Sequence, residues 1–292
     1  MKDLKTIRGM PDLYDDDIER ISFVENICLE VFKSFNYREF RTPIIENKSL
    51  FQRSAGETSD IVQKEVYEFD DRNGETLCLR PEGTAGLVRA LITNGLLSEE
   101  IKKFFYLGPM FRYERPQKGR KRQFFQAGVE LIGEGSSKSD VEIILVGKTI
   151  LEKLGVEFSL EINYLGGEES LNSYRTYLRE FLQVNKDSFE EKLYSRLQRN
   201  PVRAIDSKDE NVQKIIKDAK DITNFLTEEE KQAFSETVTI LDQLKVNYFI
   251  NTNLVRGMDY YTGTVFEFTV DSLGAQNAVI GGGRYDNLIK EL

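Results

Sequence analysis

The stretch FRYERPQKGRKRQFFQAGVE, residues 111–130, gathers five Lys or Arg into the eight residues 115–122 of a chain whose formal net charge is −9. Apolar residues on both sides of that basic run are spaced as in strands. Residues 104–107 and Gln123–Ile132 therefore read as strands flanking a positive loop, and the returning strand carries a glutamate at position 130.

Outward from this stretch the same contrast repeats. Upstream, a helix capped at residues 15–17 runs to about residue 35, with Ile21, Val24, Cys28, Val31 and Phe35 on one face. Residues 38–46 are extended, since Pro43 forbids a helix interior there. Strands at 66–69 and Thr76–Leu79 flank Asn73-Gly74, a hairpin turn signal, and residues 83–97 read as a helix. Downstream, a helix over 139–154 precedes a strand over 157–164. From about 166 to 244 the chain turns rich in Glu, Lys, Asp and Gln with helical periodicity, after which strands return at 248–251, 264–270 and 278–280. A short helix is expected from Arg284 onward. The expected class is α+β: a mainly antiparallel sheet flanked by helices and interrupted by a helical insertion. Its divisions are 1–165, 166–244 and 245–292.

Composition removes several chemistries. The 292 residues are 40% hydrophobic and 30% charged, enough for a real core, and contain no histidine. That excludes a Ser-His-Asp triad, an imidazole base and His-ligated zinc. Cys28 and Cys78 lack metal spacing and read as reduced, packed thiols of a cytoplasmic protein. No stretch approaches the roughly 20 apolar residues of a membrane span, and the charged N-terminus is unlike a signal peptide. The acidic balance argues against a protein that coats nucleic acid with its whole surface, but leaves room for a local basic patch.

Polar density concentrates in LRPEGT (79–84), the opening stretch, LVRGMDYYTGTVFEF (254–268) and IGGGRYD (280–286). Singly, each has a plain reading: a turn, a solvated loop, an amphipathic strand, a tight bend. Together they offer arginines for phosphate or carboxylate, Glu82 and Glu130 for a cationic or N–H-bearing ligand, and the aromatic walls of Tyr260, Tyr261 and Tyr285. Residues 281–283 lack GxGxxG spacing, and no GxxxxGK[ST] occurs, so neither Rossmann nor P-loop nucleotide binding is expected.

These stretches, with IRGMPD (7–12), FRTPIIE (40–46), LRPEGTAG (79–86) and RNPVRAIDSKD (199–209), resemble the histidyl-tRNA synthetase family of class II aminoacyl-tRNA synthetases nearly end to end. RGMDYYTGTVFE together with GGGRYD marks the histidine branch. The resemblance implies a class II antiparallel sheet and ATP-dependent activation of L-histidine, with transfer to tRNA(His). It implies Mg²⁺ accompanying ATP, no prosthetic group, no dedicated metal site, and a homodimer with Pro43 near its interface. Arg112 would hold the α-phosphate, with Glu114 near adenine and Arg120 on the triphosphate side. Glu82, Gly83, Thr84 and Gln126 would receive the substrate amino group. Glu130 would accept the imidazole N–H beside Tyr260, Tyr261 and Tyr285. Arg256 would be the catalytic arginine lying against the α-phosphate and the attacking carboxylate. Arg115, Gln117, Lys118 and Arg122 would face the tRNA acceptor end. The chain ends before the family's motif 3 and anticodon-binding domain, which reads as a truncated catalytic part. A second reading is the family's histidine-sensing paralogue, the regulatory subunit of ATP phosphoribosyltransferase; a third is a module kept only for binding.

Overall fold

The computed structural model describes residues 4–56, 59, 61–97, 100–117, 119–273 and 277–292. Helix α1 (Asp16–Ser34) starts with Asp16, Asp17 and Glu19 in its first turn, where carboxylates favour the positive end of the helix dipole. The expected cap is not made: Asp15 has φ 46° and its side chain accepts no capping hydrogen bond. Strands β1 (Arg38–Glu39) and β2 (Ile45–Asn47) bracket Pro43. Helix α2 (Lys48–Ala55), not foreseen from the sequence, starts from Asn47, whose side chain accepts from Ser49 N at 3.0 Å. After a π-helical turn at Ile61–Glu65 come β3 (Tyr67–Asp70) and β4 (Thr76–Leu79), an antiparallel hairpin. Asp71 closes its turn by accepting from Asn73 N and Glu75 N.

Helix α3 (Thr84–Thr93) leads to β5 (Lys102–Phe111) and β6 (Gln123–Ile132), paired in unbroken register from Lys102 opposite Ile132 to Phe111 opposite Gln123. Helix α4 (Ser137–Lys153) is opened by a Ser136–Ser139 capping box and followed by β7 (Ser159–Tyr164). Helices α5 (Glu168–Val184), α6 (Glu191–Arg199), α7 (Glu210–Ile216) and α8 (Glu228–Gln243) follow, with a 3-10 turn at Pro201–Ala204. Leu182, Leu197, Ala204 and Val212 form a small core among them. The chain returns through β8 (Phe249–Ile250), β9 (Thr262–Thr269), β10 (Ala278–Arg284) and α9 (Leu288–Glu291). Thus Gly281–Gly283 belong to a strand and not to a tight bend, and the last helix begins four residues later than expected from Arg284.

The strands form three sheets, ordered β1-β5-β6, β10-β9-β7-β8 and β2-β4-β3. Every pairing is antiparallel except β1 with β5 and β7 with β8. This is the expected α+β arrangement of largely antiparallel strands flanked by helices. The β5–β6 hairpin is covered on both sides, because successive side chains alternate across a strand. Phe105 and Val129 join Cys28, Val31 and Phe32 of α1 and Val146 and Ile150 of α4. Phe104, Tyr106, Met110 and Ile132 point the other way, against Leu87 and Leu91 of α3. That second face carries the candidate site. Burial pushes the Cys28 thiol up to about 11 and Cys78 up to about 12, so both are inert packing groups. No described helix is long and apolar enough to cross a membrane.

Candidate active site

Phe124, Gln126, Gly128 and Glu130 alternate along β6 and so share the face that α3 covers. Opposite them on β5 stand Met110, Gly108, Tyr106 and Phe104. The Tyr106 ring fills the space above Gly128 and also reaches Gly83, where an added Cβ would overlap it. Glycine in mid-strand here permits the close approach of a ring to backbone.

LRPEGT is more than a turn. Arg80 is buried, donating from Nε to Pro109 O at 3.1 Å and from Nη1 to Thr42 O at 2.9 Å. It thereby ties the segment after β1 to the end of β5. Glu82 is 4% exposed and caps α3, accepting Thr84 N at 2.6 Å and Ala85 N at 2.9 Å. Thr84 donates its hydroxyl to Glu130 Oε1 at 2.7 Å, and Tyr285 donates its hydroxyl to Glu130 Oε2. Glu130 itself is 5% exposed. Tyr285 meets Tyr260 edge-on at 5.7 Å between ring centroids, and Tyr260 lies 4.6 Å from Tyr261.

Arg256 completes the series. Its guanidinium lies 5.9 Å from the Tyr261 ring centre, pairs with Glu267 of β9 and rests on the backbone of Gly281 in β10. Any side chain at Gly281 would overlap that guanidinium, which accounts for glycine inside the strand. At the opposite end, Arg112 donates from Nε to Pro81 O at 2.9 Å and lies 5.1 Å above the Phe124 ring. A continuous line of contacts therefore runs from Arg112 through the turn at Pro81, Glu82 and Thr84 to Glu130, Tyr285, Tyr260, Tyr261 and Arg256. These residues come from four separated stretches of the chain.

The basic loop is partly folded onto itself. Arg120 pairs with Glu114 at 2.7 Å, and Gln117 and Arg120 exchange backbone hydrogen bonds. Arg122 stacks 3.9 Å from the Tyr113 ring centre, and its N–H donates to Gly9 O at 2.8 Å, which pins IRGMPD to the loop. Arg115 and Gln117 are exposed; Lys118 lies outside the described residues.

Two buried carboxylates set the electrostatics. Burial pushes Glu130 up to about 7, with the Glu82 charge adding to the rise while Tyr285, Thr84 and Tyr106 oppose it. Burial also raises Glu82, offset by N–H donation from Ala85 and Thr84 and by the Arg112 charge. Among the described residues neither carboxylate is in an ion pair. Gln126 Oε1 and Arg256 Nε are buried with no hydrogen-bond partner among the described residues, one seeking a donor and the other an acceptor. No three acidic or cysteine side chains converge as a metal-binding group among the described residues.

A sequence profile of the Histidyl-tRNA synthetase family matches residues 9–292. The chain belongs to this family. Two Histidine--tRNA ligases of Prochlorococcus marinus, from strains MIT 9301 and AS9601, are each 47% identical over 293 residues, covering 100% of this chain and 69% of the relative. The crystal structure of apo S. aureus histidyl-tRNA synthetase superposes with TM-score 0.78 at 33% identity, covering 99% of this chain and 68% of that one. A Bacillus halodurans chain described as an ATP phosphoribosyltransferase regulatory subunit/histidyl-tRNA synthetase superposes with TM-score 0.70 at 23% identity, which speaks to the fold alone.

In this histidyl-tRNA synthetase fold several site neighbours were not singled out from the sequence. Tyr106 is one; the glycines at 83 and 128 were its available signal, since isolated glycine marks close approach. Glu267 is another, although it stands inside the quoted RGMDYYTGTVFE stretch. Arg284 turns away from the pocket: its Nη2 pairs with Asp140 of α4 at 2.9 Å, and Thr264 donates to the same carboxylate. It braces β10 and β9 against α4.

Proposed function

We propose that this chain is the catalytic part of a histidine–tRNA ligase, which activates L-histidine with ATP and passes it to tRNA(His). The observation that carries the reading is Glu130, a buried carboxylate reached by hydroxyls but by no cationic side chain among the described residues. Such a group is stabilised by a ligand that brings an N–H donor, as an imidazole does. Glu82 and Gln126 Oε1, on the same face, suit an α-ammonium group, with Gly83 and Thr84 shaping the turn beside it. Tyr260, Tyr261 and Tyr285 supply the walls for the ring.

The chemistry then needs fixed positive charge. Attack of the histidine carboxylate on the ATP α-phosphorus joins two anions and expels pyrophosphate. Arg112 and Arg256, at the two ends of the line of contacts, would clamp the phosphate from opposite sides, and holding the carboxylate in line adds a proximity gain. Glu114 and Arg120 would take the adenine and triphosphate ends, with Arg120 exchanging Glu114 for phosphate. Mg²⁺ would arrive on the nucleotide and neutralise its phosphate charge. No side-chain base is required, consistent with a chain lacking histidine. In the transfer step Arg115, Gln117, Lys118 and Arg122 would hold the acceptor end through its phosphates.

A cytoplasmic homodimer fits the exposed apolar run at Pro43, Ile44 and Ile45. The decisive experiment is histidine-dependent ATP–pyrophosphate exchange on this chain and on a form extended to the length of its relatives. Exchange that disappears in Arg256→Ala supports the ligase. An inert extended protein that instead activates ATP phosphoribosyltransferase supports the regulatory reading.

A further inference from the structure

The loop that carries Arg256, residues 252–261, joins β8 to β9 and is held at several points. At its start Asn163 of β7, itself buried, donates from Nδ2 to Thr252 O at 3.2 Å and Leu254 O at 3.0 Å. Farther on, Met258 and Tyr260 enter the core formed by Leu50, Phe51 and Cys78. Between those anchors Asp259 meets two different parts of the molecule. Its N–H reaches Ala55 O at 3.5 Å, and its Oδ2 lies 2.6 Å from where a Cβ on Gly56 would stand, so it is seated on the end of α2. Its Oδ1 accepts from Nδ2 of Asn200 at 3.0 Å, at the junction of α6 and the 3-10 turn. A few residues along that turn, Arg203 lies beside Gly257, next to Arg256.

Asn200 is a stiff donor. It precedes Pro201, which restricts its backbone to the extended region, and it adopts φ −134°, ψ 85° there. Pro201 is buried, so the turn is anchored in the helical segment. A cavity of ≈ 470 Å³ opens at the same junction, lined by Arg53, Arg175, Arg199, Asn200 and Asp259 among others. Polar and charged side chains line this junction, Arg175 among them with its charge felt by Asp259, and the Asn200–Asp259 hydrogen bond is a direct link from the helical segment to the loop.

We infer that Asn200 is a positioning residue for the histidine site. By holding Asp259 it sets where Arg256, Tyr260 and Tyr261 stand, and so couples the helices of residues 168–243 to amino-acid activation. This rests on the function proposed above, and two readouts keep the two ideas separable. The variants are Asn200→Ala and the exchanged pair Asn200→Asp with Asp259→Asn, which rebuilds the hydrogen bond with its direction reversed. Amide hydrogen exchange across residues 252–261 should quicken about tenfold in Asn200→Ala, while β6 stays protected, because one hydrogen bond fewer holds the loop closed. In pyrophosphate exchange the histidine KM should rise about fivefold and kcat should fall about fivefold, because the same loop carries Arg256, with the ATP KM within about twofold. The exchanged pair should recover most of both losses. Unchanged loop protection, an unchanged histidine KM beside intact activity, or an exchanged pair no better than Asn200→Ala each overturns the inference. Should the unmodified chain fail to activate histidine, the functional reading fails, and the loop-protection results alone then decide the positioning role.

Discussion

Tyr106 of β5 places the hydroxyl end of its ring against Gly128, its partner across the β5–β6 ladder, so closely that a Cβ on Gly128 would overlap it. The aromatic ring takes the place of a side chain on β6 and forms the floor between Gln126 and Glu130. Gly128→Ala must displace that ring, which is also held close against Gly83. Overpacking of this kind costs about 1–3 kcal/mol. A lowered thermal midpoint together with weakened histidine binding is expected. Tyr106→Phe, which keeps the ring, should retain most of the stability. A fully stable Gly128→Ala with normal histidine affinity would refute the packing account.

Arg256→Ala should depress histidine-dependent exchange by about 10²–10³-fold, the usual effect of removing one preorganised donor from developing charge. Lysine should not restore it, because a single ammonium cannot pair with Glu267 and lie flat on Gly281 while offering donors to phosphate. Steady-state rates of the two variants check this; a lysine enzyme near full activity would count against it.

The folded-state pKa of Glu130, about 7, lies above the ordinary value of 4.5. The folded chain thus retains a proton that the unfolded chain releases, so this contribution to stability is complete below pH 4.5 and lost as pH rises to about 7. Glu130→Gln removes that part of the slope. At pH 8 the ligand-free variant should resist denaturant better than the parent yet bind histidine at least tenfold more weakly, by about 1.4 kcal/mol or more. Denaturant titrations at pH 5 and pH 8, with calorimetric histidine binding, measure both effects. ATP binding should change little.

Arg120, with a side chain 45% exposed, pairs with Glu114, whose side chain is 14% exposed. A pair with one partner open to solvent contributes about 1 kcal/mol, so Arg120→Ala should lower the unfolding midpoint only slightly. If the arginine exchanges Glu114 for triphosphate, the ATP KM rises about tenfold while the histidine KM holds. Parallel KM measurements distinguish this from a general disturbance of the loop.

Local chemistry was legible where it depends on neighbours in the chain. β6 matched its expected span, Gln123–Ile132, because period-2 alternation is a property of consecutive residues. The Asn73-Gly74 hairpin and the β4 span followed for the same reason. Helix α2 did not: KSLFQRSA is short and polar, and its helix rests on the Asn47 cap and on Leu50, Phe51 and Ala55 reaching a core built elsewhere. The reach of β5 to Phe111 was also hidden, since Gly108 and Pro109 interrupt its pattern and only pairing with Gln126 and Phe125 holds them extended.

By itself the sequence determined the family, the absence of imidazole chemistry, and which residue types were available for phosphate, ammonium and ring. Those are matters of identity and spacing along one chain. The tertiary structure alone decided that Tyr285 and Thr84, 201 positions apart (285 − 84), donate to the two oxygens of one carboxylate. It also decided that Arg256 pairs with Glu267, and that Asn200 reaches Asp259. Hydrogen bonds and ion pairs act over a few ångströms of space, and distance in space is set by which faces bury together. The basic run at 115–122 shows both sides: its charge was plain from the sequence, but only folding showed Arg120 held by Glu114 and Arg122 laid on Tyr113.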